Sequence, residues 1–151
     1  MSRLTLYSTR FDEYRKPELV REKSWNYGNT VCDSPERVVE IMQNIFECGT
    51  RCEEHIWMLC LDVSKKIVGA VEISKGTLTY SCIHPREVFI TAINLSAAAI
   101  LLVHNHPSGS LDESPADDET TRRIKDAGEL IGISLLDHIL IAADSWKSIM
   151  L

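Results

Sequence analysis

The stretch His104-Asn105-His106-Pro107-Ser108-Gly109, followed after a short polar gap by Ser114-Pro115-Ala116-Asp117, decides how this chain is read. It lies between an apolar run, residues 97–103, and a strongly signalled helix start. The run is short and continuous, as expected of a strand buried on both faces. Ser114 supplies a hydroxyl N-cap, Pro115 a first helical position, and Asp117 an acid in the first turn. If the backbone stays extended through 104–106, alternate side chains share one side and both imidazoles converge. Two histidines and a carboxylate then leave a fourth tetrahedral position open, the pattern of a catalytic zinc site. The competing reading is a Pro-Ser-Gly turn before a capped helix, with the His-x-His pair incidental. One feature favours metal. His104 ends a run so apolar that an unpartnered imidazole there is costly.

Outward from that stretch, the remaining elements follow from periodicity and caps. Ser34-Pro35-Glu36 starts a helix whose Val38, Ile41, Met42, Ile45 and Phe46 recur at helical spacing, with Gly49 as its stop. Residues 56–61 are a buried strand, 62–66 a turn, and 67–73 the returning strand of a hairpin. Residues 77–83 alternate and predict a half-buried third strand. His84-Pro85-Arg86-Glu87 opens a second helix with Val88, Phe89, Ala92, Ile93 and Ser96 inward. The third helix carries Ile124, Ala127 and Ile131 inward and ends at Gly132, before a last buried strand over 133–142. This order predicts an α/β fold, a mixed sheet flanked by helices. Residues 1–30 are polar and mixed in charge. They are expected to form a charged, solvated arm, with 31–151 as the folded domain.

The whole chain limits the partners. Its 151 residues suit one domain, and 44% hydrophobic with 25% charged residues is ordinary globular composition. The net charge of −6 gives no support for a dedicated nucleic-acid binder. No apolar run reaches the ~20 residues of a membrane span, and no export signal is visible, so the cytoplasm is the expected compartment. Five cysteines, an odd number, are expected to be reduced thiols, with Cys60 and Cys82 inside strands.

His104, His106, seven intervening residues, Ser114 and Asp117 match the H-x-H-x7-S-x-x-D signature of the JAMM (MPN+) metalloprotease superfamily. HNHPSG, the GTL and HPREVF segments, LSAAAILL and AGELIGISLLDHILI resemble the RadC branch of bacterial JAB-domain proteins. The resemblance runs from about Ser34 to the C-terminus. It implies a single JAB/MPN domain with a cytidine-deaminase-like fold, and Zn2+ held by His104, His106 and Asp117. It also implies a general base, a Glu at the start of a strand preceding the ligands. Glu54 occupies that place; Glu53 is the alternative and Glu72 a weaker one. Ser114 is implied as a stabiliser of the tetrahedral oxyanion. Most RadC-type chains carry an N-terminal helix-hairpin-helix module, where this sequence is expected to have only the charged arm.

The expected function is therefore a zinc-dependent hydrolase acting on a peptide or isopeptide bond, with a peptide or protein as substrate and partner. The alternative is a non-enzymatic, zinc-containing module in DNA repair or protein interaction. A metal-dependent nuclease would ordinarily need more carboxylates converging. Among the remaining polar residues, Asp137-His138 in the last strand is expected to be a satisfied structural pair, with orientation of a metal ligand as the other reading. His55 and His84 are expected at the surface or as caps. Trp57 is expected in the core, and Trp146 in either core or interface.

Overall fold

A computed structural model describes residues 2–76 and 83–150. Most of the strand expected over 77–83 therefore lies outside the described residues, as does Cys82. The elements are β1 (Ser2–Phe11), β2 (Pro17–Tyr27), α1 (Pro35–Phe46), β3 (His55–Leu61), β4 (Ile67–Lys75), α2 (Pro85–Asn94), β5 (Ala99–Asn105), α3 (Pro115–Ile131), β6 (Ser134–Ala142) and β7 (Ser145–Ser148). The strands form one sheet in the order β2-β1-β4-β3-β5-β6-β7.

The middle strands read as continuous apolar runs because helices cover both faces of the sheet. Every residue of β3 is buried. Its Trp57, Leu59 and Leu61 pack with Val38, Ile41, Met42 and Phe46 of α1. Its Ile56, Met58 and Cys60 pack with Val88, Phe89 and Ala92 of α2 and Ile124 of α3. Each fully buried side chain of this size contributes roughly 1.5–3 kcal/mol. The β3–β4 turn is closed by Asp62, whose Oδ1 accepts from Ser64 N at 2.8 Å and Lys66 N at 3.0 Å. The β5–α3–β6 crossover joins two parallel strands and carries α3 across the α2 face.

Residues 1–30 require a correction. They are not a solvated arm: β1 and β2 form a long antiparallel hairpin that extends the sheet through parallel pairs Leu6–Ala70 and Tyr7–Val71. Leu4 is fully buried, and Trp25 packs edge-on against Phe46 at 5.3 Å between ring centroids. β2 is an edge strand with no fully buried residue, so its charges hid the pairing. Backbone hydrogen bonds need no hydrophobic alternation.

Smaller departures follow the same logic. Ile93 and Ile131, expected inward, are 56% and 47% exposed, while Thr91 is buried. β7, a short strand beyond those the sequence predicts, returns beside β6. Cys60 lies inside β3 as expected, and burial pushes the thiols of Cys32, Cys48 and Cys60 up to about 12, far from reactive. Among the described residues, no helix is long and apolar enough to cross a membrane.

Candidate metal centre

β5 delivers both histidines because it is paired on both sides. His104 faces Ile56 on β3 and Leu140 on β6, and is fully buried. His106 lies just past the strand, but its N–H still donates to Ile141 O at 2.8 Å. The backbone therefore stays extended through 104–106. The two rings stand at 90° with centroids 4.7 Å apart.

The start of α3 meets them. Ser114 caps the helix, accepting from Asp117 N at 3.1 Å, and Ser114 N donates to Asp117 Oδ2 at 2.8 Å. This reciprocal box fixes the Asp117 carboxylate, whose side chain is only 2% exposed. Its Oδ1 lies 3.2 Å from His104 Nδ1 and its Oδ2 lies 3.5 Å from His106 Nε2.

Glu54 approaches from the other side, immediately before β3. Its Oε1 is 2.6 Å from His104 Nε2 and 3.6 Å from His106 Nε2. One ligand atom from each of Glu54, His104 and His106 lies within 4.8 Å of the other two, so these three can hold a metal ion. The residues fit a divalent cation. Imidazole nitrogens and carboxylate oxygens are zinc donors, and His104 Nδ1 is buried without a hydrogen-bond partner among the described residues. Burial is the main cause that lowers the His104 pKa, with Asp117 and Glu54 opposing it. A ring kept neutral is one that can ligate.

The other acids stay apart. Glu53 points outward, 57% exposed, and pairs with Lys75 at 3.5 Å. Glu72 is held by His55, its Oε1 2.6 Å from His55 Nδ1. His55 is thus not a surface residue: it is buried and stacks on Trp57 at 4.8 Å between ring centroids. Trp57 is core as expected, Trp146 packs against the same cluster, and His84 caps α2, accepting from Arg86 N.

Asp137 and His138 are not a side-chain pair. Asp137 Oδ1 accepts from the His138 backbone N–H at 2.8 Å and from Ser148 Oγ. The His138 ring turns inward, its centroid 6.0 Å from that of His104. Thr121 Oγ1 donates to Asp117 O at 2.8 Å, and it lies 2.6 Å from His138 Nδ1. The hydroxyl has one proton and gives it to the carbonyl, so His138 donates from Nδ1. Burial, then repulsion from His104, pushes the His138 pKa down to about 3.

Two site residues escaped the sequence reading. Thr121 links His138 to the Asp117 backbone. Asn105, between the histidines, is buried with both ends of its amide engaged: Oδ1 accepts from His55 N at 2.7 Å, and Nδ2 donates to Glu53 O at 3.0 Å. Its only signal in sequence was an amide at the end of an apolar strand.

Comparison with known proteins identifies the family. A family model described as RadC-like JAB domain matches residues 32–150. A UPF0758 protein of Finegoldia magna is 46% identical over 112 residues, 74% of this chain and 49% of the relative. One from Desulforudis audaxviator is 48% identical over 98 residues, covering 65% and 43% respectively. One from Geotalea uraniireducens is 45% identical over 115 residues, covering 76% and 50%. The chain spans about half the length of these curated relatives.

Proposed function

The chain belongs to the RadC-like JAB domain family, and from that premise we propose that it is a zinc-dependent hydrolase cleaving a peptide or isopeptide bond. The observation that carries the proposal is the unequal burial of two acids beside the same histidines. The Asp117 side chain is 2% exposed and locked in a capping box, which suits a permanent ligand. The Glu54 side chain is 24% exposed and lines a cavity of about 290 Å3 with His106, Pro107, Ser108, Ser110 and Asp112. That position suits an acid that exchanges protons with a substrate.

In this reading His104, His106 and Asp117 would hold Zn2+, and Glu54, which clusters with the same two histidines, acts as the base rather than as a ligand. Bound zinc supplies Lewis acidity and makes a water proton removable near neutral pH. Glu54 Oε1, already within hydrogen-bond distance of His104 Nε2, takes that proton and passes it to the leaving nitrogen. Ser114 Oγ accepts from Asp117 N and keeps its own proton, which can be donated to an oxyanion. A single oxyanion donor contributes about 3 kcal/mol in a serine protease. The His106–Ser114 loop, tied to β7 by the 2.6 Å pair of Lys147 with Glu113, frames the cavity. The cytoplasm and a protein or peptide partner belong to the same proposal.

The test is metal analysis combined with a peptide and isopeptide cleavage screen, wild type beside Glu54→Gln. About one zinc per chain is expected in both. Turnover in the variant should fall by roughly 10²–10⁴-fold. Zinc-loaded wild type that cleaves no bond in the screen would instead support a non-enzymatic metal-containing module.

A further inference from the structure

We propose that Asn105 is the positioning residue for Glu54, a role that rests on the reading of Glu54 as the base. The β3–β5 ladder ends at Ile56–His104. The next rung would set His55 against Asn105, and there the backbone ladder gives way to a side chain. The Asn105 carboxamide acts as a substitute peptide group. It accepts from His55 N at 2.7 Å and donates to Glu53 O at 3.0 Å, gripping the backbone on both sides of Glu54. The third contact comes from just past β4, where Gly76 N donates to Glu54 O at 2.8 Å.

Glu54 is therefore held on a short segment with little freedom to rotate away. The residue that holds it is the one between the two histidines, itself paired with Ile141 on β6. Base and histidines thus move as one body. The position needs an acceptor and a donor at fixed separation inside a buried site. Asparagine supplies both. Aspartate would set an oxygen against Glu53 O, and leucine would supply neither bond.

The full chain loaded with Co2+ tests the role. Its visible absorption spectrum reports the surroundings of the ion, and hydrogen exchange in the metal-free chain reports the His55 amide. In Asn105→Leu, Co2+ should still bind while the spectrum moves in the direction produced by Glu54→Gln. The His55 amide should exchange at least ~10-fold faster. A wild-type spectrum, or an unchanged His55 amide, overturns the proposal. If Asn105→Leu does not fold, Asn105→Asp serves: His55 should stay protected while the spectrum moves, and an unmoved spectrum overturns the proposal equally. With a cleavable substrate, kcat should fall while KM holds. Wild type inert in the cleavage screen would sink the hydrolase reading alone, since spectra and exchange do not depend on turnover.

Discussion

Ser114 and Asp117 exchange hydrogen bonds in both directions, backbone to side chain each way, at 2.8 and 3.1 Å. One oxygen of Asp117 is thereby held by the helix cap while the other lies 3.2 Å from His104 Nδ1. Helix start and candidate metal centre share these residues, and substitution can separate their contributions to stability and to metal binding.

Ser114→Ala removes the bond accepted from Asp117 N and leaves Ser114 N free to donate as before. The metal-free chain should lose about 1 kcal/mol, the ordinary cost of an N-cap hydroxyl. Ser114→Thr should recover most of it. Urea denaturation measures both, and zinc should remain bound in each.

His104→Ala should release metal sharply, since the ring is fully buried between both acids. A double alanine variant at His104 and His106 should retain no stoichiometric zinc by elemental analysis. Retained zinc would place the ion elsewhere in the chain.

His138 should make the metal-free chain acid-sensitive. Its pKa falls from 6.5 to about 3 on folding because burial penalises the charged ring. Between those values the unfolded state binds the proton and the folded state does not, so stability rises with pH across that window. It is complete above pH 6.5 and is lost as pH falls toward 3. One such group gives a slope of at most about 1.4 kcal/mol per pH unit. Denaturation of wild type and His138→Phe between about pH 5 and 6.5, above most carboxylate titration, should show a flatter slope in the variant. Equal slopes would contradict the assignment.

Gly128→Ala opposes two effects of known sign. Helix propensity favours alanine by about 1 kcal/mol. The added Cβ would stand 2.4 Å from Ile133 O and 3.2 Å from Phe89 Cζ, against a backbone that cannot step aside. The clash should win, with a net loss of roughly 1–3 kcal/mol by thermal or urea unfolding.

Much of the fold was legible because its signals are local. Caps at Ser34, His84 and Ser114 started the three helices where the sequence predicts, and Gly132 at φ 89° ended the third. β3 and β5 were visible as unbroken apolar runs because helices cover both faces. The β1–β2 hairpin was not, since an edge strand leaves both faces wet and carries no periodic mark. Ile93 and Ile131 misled for a related reason: helical spacing identifies an apolar stripe without limiting how far the neighbouring sheet extends beneath it.

The sequence alone determined which residues are candidates for the site. Two histidines, a capping serine and an aspartate lie within fourteen residues, so extended backbone and a helix start bring them close with little help from the rest of the chain. Tertiary structure decided which acid joins them, and how it is held. Glu53, Glu54 and Glu72 are chemically alike and separated from His104 by tens of residues, so no local rule ranks them conclusively. The antiparallel pairing of β3 with β5 and with β4 does. Ile56 opposite His104 brings Glu54, two residues earlier, to 2.6 Å from the His104 ring, while β4 sets Lys75 beside Glu53 and Glu72 beside His55. Strand pairing acts between distant segments, and its side-chain alternation of two makes a single-residue shift a change of face.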